Sequence, residues 1–240
     1  MSIPLKVISI AGATKRLKGP FQMLRLAQVD DLAVDIYLCQ GAVAWHRHTD
    51  EDELFMTYSG LMTLETEWGT VTLRPWEMAL VPKGVGHRSL SAWPSTVLLM
   101  RPTLLADRKN GDRRLYALPE EATLRKTSLI GSGEWPGMPF RPQFLLQIED
   151  FSLRLLRCLG QGPWVEPRPG DTLLLVQQGT LLLESEEEQL PLMGGELICV
   201  PKHTGHRLVA GTVAMVLELV REEPRQLTTI MAGEWAWDEE

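Results

Sequence analysis

Residues 41–53 read GAVAWHRHTDEDE and contain two of the five histidines of this 240-residue chain. His46 and His48 are two positions apart in a strand-like segment, where alternate side chains point to the same face. Both imidazoles should therefore enter the interior of a β-structure, while Arg47 points away. Glu53 follows five residues after His48, at the predicted start of the next strand, and can place a carboxylate beside them.

A third histidine can complete this group. His87 follows the turn residues PKGVG at 82–86 and should project from a later strand. Three neutral imidazoles and one carboxylate suit a divalent first-row metal, and on a six-coordinate ion they leave two positions open for water, dioxygen or a chelating substrate. The alternative is a set of polar residues that hydrogen-bond one another inside a barrel. Four such residues at this spacing favour the metal.

The chain also carries an internal repeat with an offset of 119 residues. The matches VPK and GHR occur at residues 81–83 and 86–88 in the first half and at 200–202 and 205–207 in the second. From Pro20 to Arg101 about two dozen positions are identical without a gap, which indicates duplication. Each repeat has the size of a small domain. We therefore predict two sister domains, residues 1–118 and 119–240, with a short connecting helix over 119–125.

Short apolar runs, often alternating with polar residues, fill each repeat. Glycine and proline separate these runs, as in Ser59-Gly60 and Arg74-Pro75. Runs of this kind are typical of β-strands, and long helical periodicity is absent. The fold class predicted for each half is an all-β barrel or sandwich.

Composition excludes several classes of protein. The chain is 44% hydrophobic and 23% charged, which is typical of a globular protein, and its net charge of -7 argues against a nucleic-acid partner. No apolar run approaches the roughly 20 residues of a membrane-spanning helix. Three cysteines, and an N-terminus without the order of a signal peptide, predict a cytoplasmic protein with no membrane partner.

The histidine motifs resemble those of the cupin superfamily. Residues 41–53, closing at Gly60, are similar to the first cupin motif, and residues 82–87 are similar to the second. The leading gap is four residues rather than five, and Trp76 stands where the second motif usually opens with glycine. Neither departure touches a ligand. The resemblance implies a double-stranded β-helix, or jelly-roll barrel, in each repeat, so the chain resembles a bicupin. It assigns the metal ligands as His46, His48, Glu53 and His87.

The second repeat lacks most of this set. The counterparts of the four ligands, in chain order, are Val165, Pro167, Thr172 and His206. We therefore expect a degenerate second barrel that stabilises the first or forms the pseudo-dimer interface. A two-histidine site made by His203 and His206, with Cys158 or Glu166, is the less favoured alternative.

Several other side chains have assignable roles. Phe55 and Thr57 share the alternation of Glu53 and should line the first barrel, where they shape a pocket or fill the core. Residues repeated in both halves are expected to be structural: Trp45 and Trp164 in packing, Arg88 and Arg207 in salt bridges, Cys39 and Cys158 in the core.

Three charged or aromatic segments are expected at the surface or at an interface. The acidic residues 50–52 should be exposed at the barrel mouth. Glu186-Glu187-Glu188 should form a solvated hairpin tip. The C-terminal residues 234–240, with Trp235 and Trp237, should dock on a barrel or on a neighbouring subunit.

The resemblance implies an enzyme that acts on a small organic molecule, although no catalytic residue beyond the ligands and no organic cofactor can be assigned. Oxygen chemistry of the dioxygenase or oxalate-decarboxylase type requires one divalent transition metal, with Fe or Mn favoured. Zn or Ni would fit a sugar or keto-acid isomerase with the same ligands. A non-catalytic module that binds a metal or a small ligand is the alternative from another class. The oligomeric state is predicted as monomer or homodimer.

Overall fold

The computed structural model describes residues 5–103, 122–129 and 137–221. In chain order its elements are β1 (Ile8–Ser9), α1 (Ile10–Thr14), β2 (Leu24–Val29), β3 (Leu32–Ala42), β4 (Glu53–Ser59), β5 (Met62–Thr66), β6 (Gly69–Leu73), β7 (Glu77–Val81), β8 (His87–Pro102), β9 (Lys126–Ser128), β10 (Gln143–Ile148), β11 (Phe151–Gln161), β12 (Thr172–Gln178), β13 (Thr180–Ser185), β14 (Gln189–Met193), β15 (Glu196–Val200) and β16 (His206–Arg221).

The described residues form two antiparallel eight-stranded sheets, which confirms the all-β prediction. One sheet has the order β2-β3-β8-β4-β7-β9, and β5 and β6 join it through β8. The other has the order β1-β15-β12-β16-β11-β10, and β13 and β14 join it through β16. Strands β2 to β8 reappear in the same order as β10 to β16. The chain therefore folds as two tandem double-stranded β-helix barrels. The internal repeat predicted the two domains, and the family resemblance implied the type of barrel.

Side-chain alternation divides the apolar residues into three clusters. One fills the first barrel and includes Phe55 and Leu99. A second, which includes Leu174, fills the other barrel. The third contains residues of both halves, for example Leu98 and its repeat counterpart Leu217, and so forms an apolar seam between the barrels. Because successive residues of a strand face opposite ways, each long strand contributes to a barrel interior and to the seam at once.

Polar contacts flank the seam in a nearly symmetric way. The backbone N–H of Asp52 donates to Glu149 of the second half, at 3.2 Å. At the equivalent place the N–H of Asp171 donates to Asp30 of the first half, at 3.3 Å. The two barrels thus hold each other's loops through matching carboxylates.

Two short strands cross between the halves. Strand β1, near the N-terminus, pairs with β15 of the second sheet, and β9, after the midpoint of the chain, pairs with β7 of the first. The predicted boundary near residue 118 lies outside the described residues and stays a prediction. Residues 122–125, the described part of the predicted connecting helix, are not helical. The short helix α1 was not predicted, because five residues are too few to show helical periodicity.

Repeated glycines mark matching irregularities in the strands. Gly41 and Gly160 have φ values of 85° and 80°. Each lies at a register shift of a long strand, after Cys39 and Cys158 respectively. A positive φ at a β-bulge favours glycine, which accounts for these two identities between the repeats.

Two surface predictions have different outcomes. Glu186, Glu187 and Glu188 connect β13 to β14, so the predicted hairpin tip is confirmed. The C-terminal residues 234–240 lie outside the described residues. Within the described part of the chain, no helix is long and apolar enough to cross a bilayer.

We expect the seam to dominate the stability of the fold. Leu98 is fully buried in it, whereas Leu61, in the turn after β4, is 47% exposed. Leu98→Ala should lower the free energy of unfolding by about 2–5 kcal/mol, because it leaves a cavity. The matched change Leu61→Ala should alter it by no more than about 0.5 kcal/mol. Denaturant unfolding measures both, and equal effects would contradict a seam that carries the fold.

Candidate metal centre

His46 and His48 lie in the segment between β3 and β4. His46 forms an isolated antiparallel bridge with His87, with N–H to carbonyl distances of 3.1 and 2.9 Å in the two directions. The segment is therefore extended at this point, although it is not part of a regular strand. Arg47 turns away and pairs with Glu67 at 2.5 Å, as alternation predicts.

The sheet supplies the other two residues of the group. Glu53 is the first residue of β4 and His87 is the first residue of β8, so both are placed by backbone pairing and both are buried. Their side chains meet, with 2.9 Å between His87 Nε2 and Glu53 Oε2. His48 Nε2 lies 3.4 Å from the other oxygen, Glu53 Oε1. The Glu53 carboxylate thus lies between two imidazoles.

All four predicted ligand residues come together at this place. One ligand atom from each of His46, His48, Glu53 and His87 lies within 4.8 Å of every other. The ring centroids of His46 and His87 are 4.4 Å apart, and those of His46 and His48 are 5.1 Å apart. Three imidazoles and one carboxylate at these separations could hold a metal ion.

For two of the three rings, a backbone carbonyl determines which nitrogen faces the centre of the group. His46 Nδ1 lies 2.9 Å from the carbonyl oxygen of Ala44, and His87 Nδ1 lies 3.0 Å from that of Val85. A carbonyl oxygen only accepts, so Nδ1 is a protonated donor in both rings, and in the neutral ring Nε2 is the nitrogen that carries the lone pair. The lone pair of His87 Nε2 then faces the oxygens of Glu53, an arrangement that is stable only with a proton or a metal cation between them. The donor set therefore fits a cation.

The charged groups also favour an ionised Glu53. Burial alone would raise the pKa of Glu53, but its contacts with His87, His48 and Arg101 outweigh burial and lower it. Burial lowers the pKa of His46, which keeps that ring neutral. An ionised Glu53 and a neutral His46 are the protonation states that metal coordination needs at these two residues. The pKa of His48 is raised instead, because the neighbouring carboxylates of Glu51 and Glu53 outweigh its burial.

The predicted pocket residues face the same interior. Phe55 is buried with its ring centroid 5.9 Å from that of His87. Thr57 is fully buried, and its Oγ1 makes no hydrogen bond within the described structure. Both positions agree with the alternation of β4, although a role in shaping a pocket stays a prediction.

Two further polar residues of this interior were not predicted. Tyr37 is buried, and its hydroxyl lies 3.2 Å from Ser89 Oγ. Burial raises the pKa of Tyr37 far above its usual value, so the phenol stays neutral. Tyr37 precedes the predicted interior residue Cys39 by two positions, so the alternation of β3 could have identified it.

The expectation that residues 50–52 are exposed is wrong for Glu51, which is only 4% exposed. Its Oε1 lies 3.0 Å from His48 Nδ1 and 3.7 Å from Arg101 Nη1. Arg101 also approaches Glu53 Oε1, at 3.5 Å. The segment before β4 folds back over the barrel interior, and no periodicity of the sequence shows that turn.

The second barrel offers no comparable group. His206 is buried, but Val165, Pro167 and Thr172 occupy the other ligand positions. His203 lies instead in a surface groove with the acidic residues 186–188. Within the described ranges, no second group of three or more His, Cys, Asp or Glu residues is gathered as the first is.

The repeated residues make structural contacts. Arg88 pairs with Glu65 at 2.6 Å and Arg207 with Glu184 at 2.5 Å, which confirms the predicted salt bridges. Trp45 is half exposed and lies under the Arg88 guanidinium, 5.7 Å from the ring centroid.

We expect the three thiols to react slowly in the folded protein. Cys39 and Cys158 are fully buried, and burial raises the pKa of Cys39 to about 11 and those of Cys158 and Cys199 to about 12. At pH 8 only about one Cys39 in a thousand would be the reactive thiolate. Labelling with a thiol reagent at pH 8 should be slow for native protein and complete for protein in denaturant. Fast labelling of Cys39 or Cys158 in the native protein would contradict buried core thiols.

The sequence matches no family model. It is 30% identical over 92 residues to the Bacillus subtilis (strain 168) protein named Uncharacterized protein YdbB, covering 38% of this chain and 79% of that protein.

Solved structures share the fold. A cupin 2 conserved barrel domain protein from Leptotrichia buccalis has a TM-score of 0.69 and 11% identity, over 92% of this chain and 98% of that one. A salicylate 1,2-dioxygenase from Pseudaminobacter salicylatoxidans has a TM-score of 0.71 and 12% identity, over 91% and 84%. At these identities the likeness establishes the fold alone. The chain therefore has the fold of these cupin barrel proteins, as two tandem barrels, and its first barrel gathers the four residues of the predicted metal-binding motifs.

Proposed function

We propose that the protein is a metal-dependent enzyme that carries out oxygen chemistry of the dioxygenase type on a small organic molecule in its first barrel. The observation that carries this proposal is the convergence of three imidazoles and one carboxylate within 4.8 Å, with Glu53 and His87 buried and His46 and His48 partly exposed. The ligands proposed are His46, His48, Glu53 and His87.

The donor set selects the class of metal. Imidazole nitrogen with a single carboxylate suits a divalent first-row transition ion better than Ca²⁺ or Mg²⁺, which prefer oxygen ligands. Iron or manganese is the favoured ion, because either supplies redox chemistry with open coordination positions; zinc or nickel would supply Lewis acidity instead. The chain's own part is to orient the substrate and exclude water from the barrel.

Polar residues beneath the four ligands support a small oxygen-bearing substrate. Tyr37, Thr57 and Ser89 are buried and supply three hydroxyl groups to the interior. Their repeat counterparts in the second barrel, in the same order, are Leu156, Val176 and Leu208. Because the second barrel fills these positions with aliphatic side chains, the hydroxyls are not needed to form the fold. We assign them to substrate recognition.

The structural neighbours give a first choice of substrate. One solved form of the salicylate 1,2-dioxygenase is a complex with gentisate. Its 12% identity transfers no activity to this chain, but small aromatic acids of this kind are suitable first substrates to test.

The seam between the barrels supplies internally a contact that separate barrels would make by dimerising, which favours a monomer.

We expect about one metal ion per chain, held by the first barrel. His48→Ala removes a proposed ligand and should abolish most of the metal content. His206→Ala is the matched control, because His206 is the counterpart of His87 in a barrel without the other ligands, and it should leave the content unchanged. Plasma mass spectrometry on protein purified without a metal-affinity column measures both variants. Loss of metal in the His206 variant would contradict the assignment of a single metal site to the first barrel.

We expect protein that has been loaded with Fe(II) under anaerobic conditions, and then exposed to air, to consume dioxygen when a small aromatic acid is added. The rate of oxygen consumption by His87→Ala should fall to that of the blank, because this variant lacks a proposed ligand. An oxygen electrode measures the rate, and chromatography identifies the product. Stoichiometric metal without turnover across a broad panel of substrates would favour a non-catalytic binding cupin.

A further inference from the structure

We propose that Glu51 is a positioning residue, which holds the His48 ring so that Nε2 faces the centre of the four-residue group. This inference rests on the proposed function, because it concerns how the first barrel prepares one of its ligands. The cupin motif does not include the position of Glu51, two residues before Glu53.

His48 differs from the other two histidines in its support. His46 and His87 each donate Nδ1–H to the carbonyl two residues earlier. The corresponding carbonyl for His48 belongs to His46, and it already accepts the backbone N–H of His87 at 2.9 Å in the bridge between the two segments. His48 Nδ1 instead faces a side-chain oxygen, Oε1 of Glu51.

Glu51 is placed to be the acceptor for His48 Nδ1. Its Oε1 lies 3.0 Å from His48 Nδ1, and its side chain is only 5% exposed. Nδ1 of His48 is buried, and its N–H does not point closely enough at the Glu51 oxygen to count as a hydrogen bond. Catalytic contacts are often poorly aligned before the ligand binds, and a rotation of the ring would align this one. A carboxylate on the far nitrogen of a metal-bound histidine fixes both its tautomer and its orientation.

Arg101 makes a second buried carboxylate tolerable. Its Nη1 lies 3.7 Å from Glu51 Oε1 and 3.5 Å from Glu53 Oε1. Buried charges require partners, and one guanidinium here serves two carboxylates. The two carboxylates and one guanidinium leave a net negative charge, which a divalent cation would offset.

Comparison of the two barrels separates this contact from ordinary packing. Glu51 and Arg101 correspond to Gly170 and Val220, so the second barrel lacks both residues along with three of the four ligands. The salt bridge of Arg88 with Glu65, in contrast, recurs in the second barrel. A contact that is absent where the ligands are absent belongs to the site rather than to the fold.

Three variants test the inference, with Zn²⁺ as the probe ion and a chelating dye as competitor. Glu51→Ala removes the acceptor and should weaken Zn²⁺ binding by about 10–100-fold. Glu51→Gln keeps an acceptor without the charge and should weaken binding less. Glu65→Gln breaks a salt bridge of the same barrel and should bind Zn²⁺ as the unaltered protein does. Thermal unfolding of the metal-free variants checks that each is folded.

A spectroscopic signal distinguishes positioning from general loosening. In the Zn²⁺-loaded protein the Nδ1–H proton of His48 should give a slowly exchanging imidazole resonance, which Glu51→Ala should lose while those of His46 and His87 remain. Unchanged affinity and an unchanged His48 resonance in Glu51→Ala would overturn the role of Glu51 and leave the metal site intact. If the unaltered protein binds no Zn²⁺, Mn²⁺ or Fe²⁺, the proposed function fails together with this inference.

Discussion

The apolar seam between the barrels is the constraint on which the rest of the structure depends. Strand β4 shows why: Leu54 and Met56 face the seam, and Glu53, Phe55 and Thr57 face the barrel interior. A slip of one residue would exchange the two sets and place a carboxylate in the seam. Burial of the seam therefore fixes the register that carries Glu53 to the histidines.

That register buries the negative charge of Glu53. Glu53 is buried beside two imidazole nitrogens, and the Nδ1 bond of His87 leaves a lone pair directed at its oxygens. An ionised carboxylate in such a place needs a cation close by. The backbone thus gathers the groups, and the charge of Glu53 favours a cation among them, part of which Arg101 Nη1 supplies at 3.5 Å.

Duplication allowed the two barrels to diverge in chemistry while they kept one packing scheme. The second barrel retains the seam, the bulges and the salt bridge of Arg207 with Glu184. Its interior has become aliphatic at the positions of Tyr37, Thr57 and Ser89. It still contributes to the first site, because Glu149 accepts the backbone N–H of Asp52, next to Glu51. Lys83 Nζ lies 3.1 Å from the same carboxylate, which further holds the loop.

The sequence by itself determined the all-β class, the duplication and the four residues that meet in the first barrel. These depend on short-range spacing and on comparison of the two halves, both visible in a linear chain. The alternation of β4 likewise placed Phe55 and Thr57 in the interior. Only the tertiary structure decided that Glu51 is buried and that β1 and β9 cross between the halves. The fold of the segment before β4 and the pairing of two short strands depend on contacts between residues distant in the chain. Local patterns do not encode such contacts.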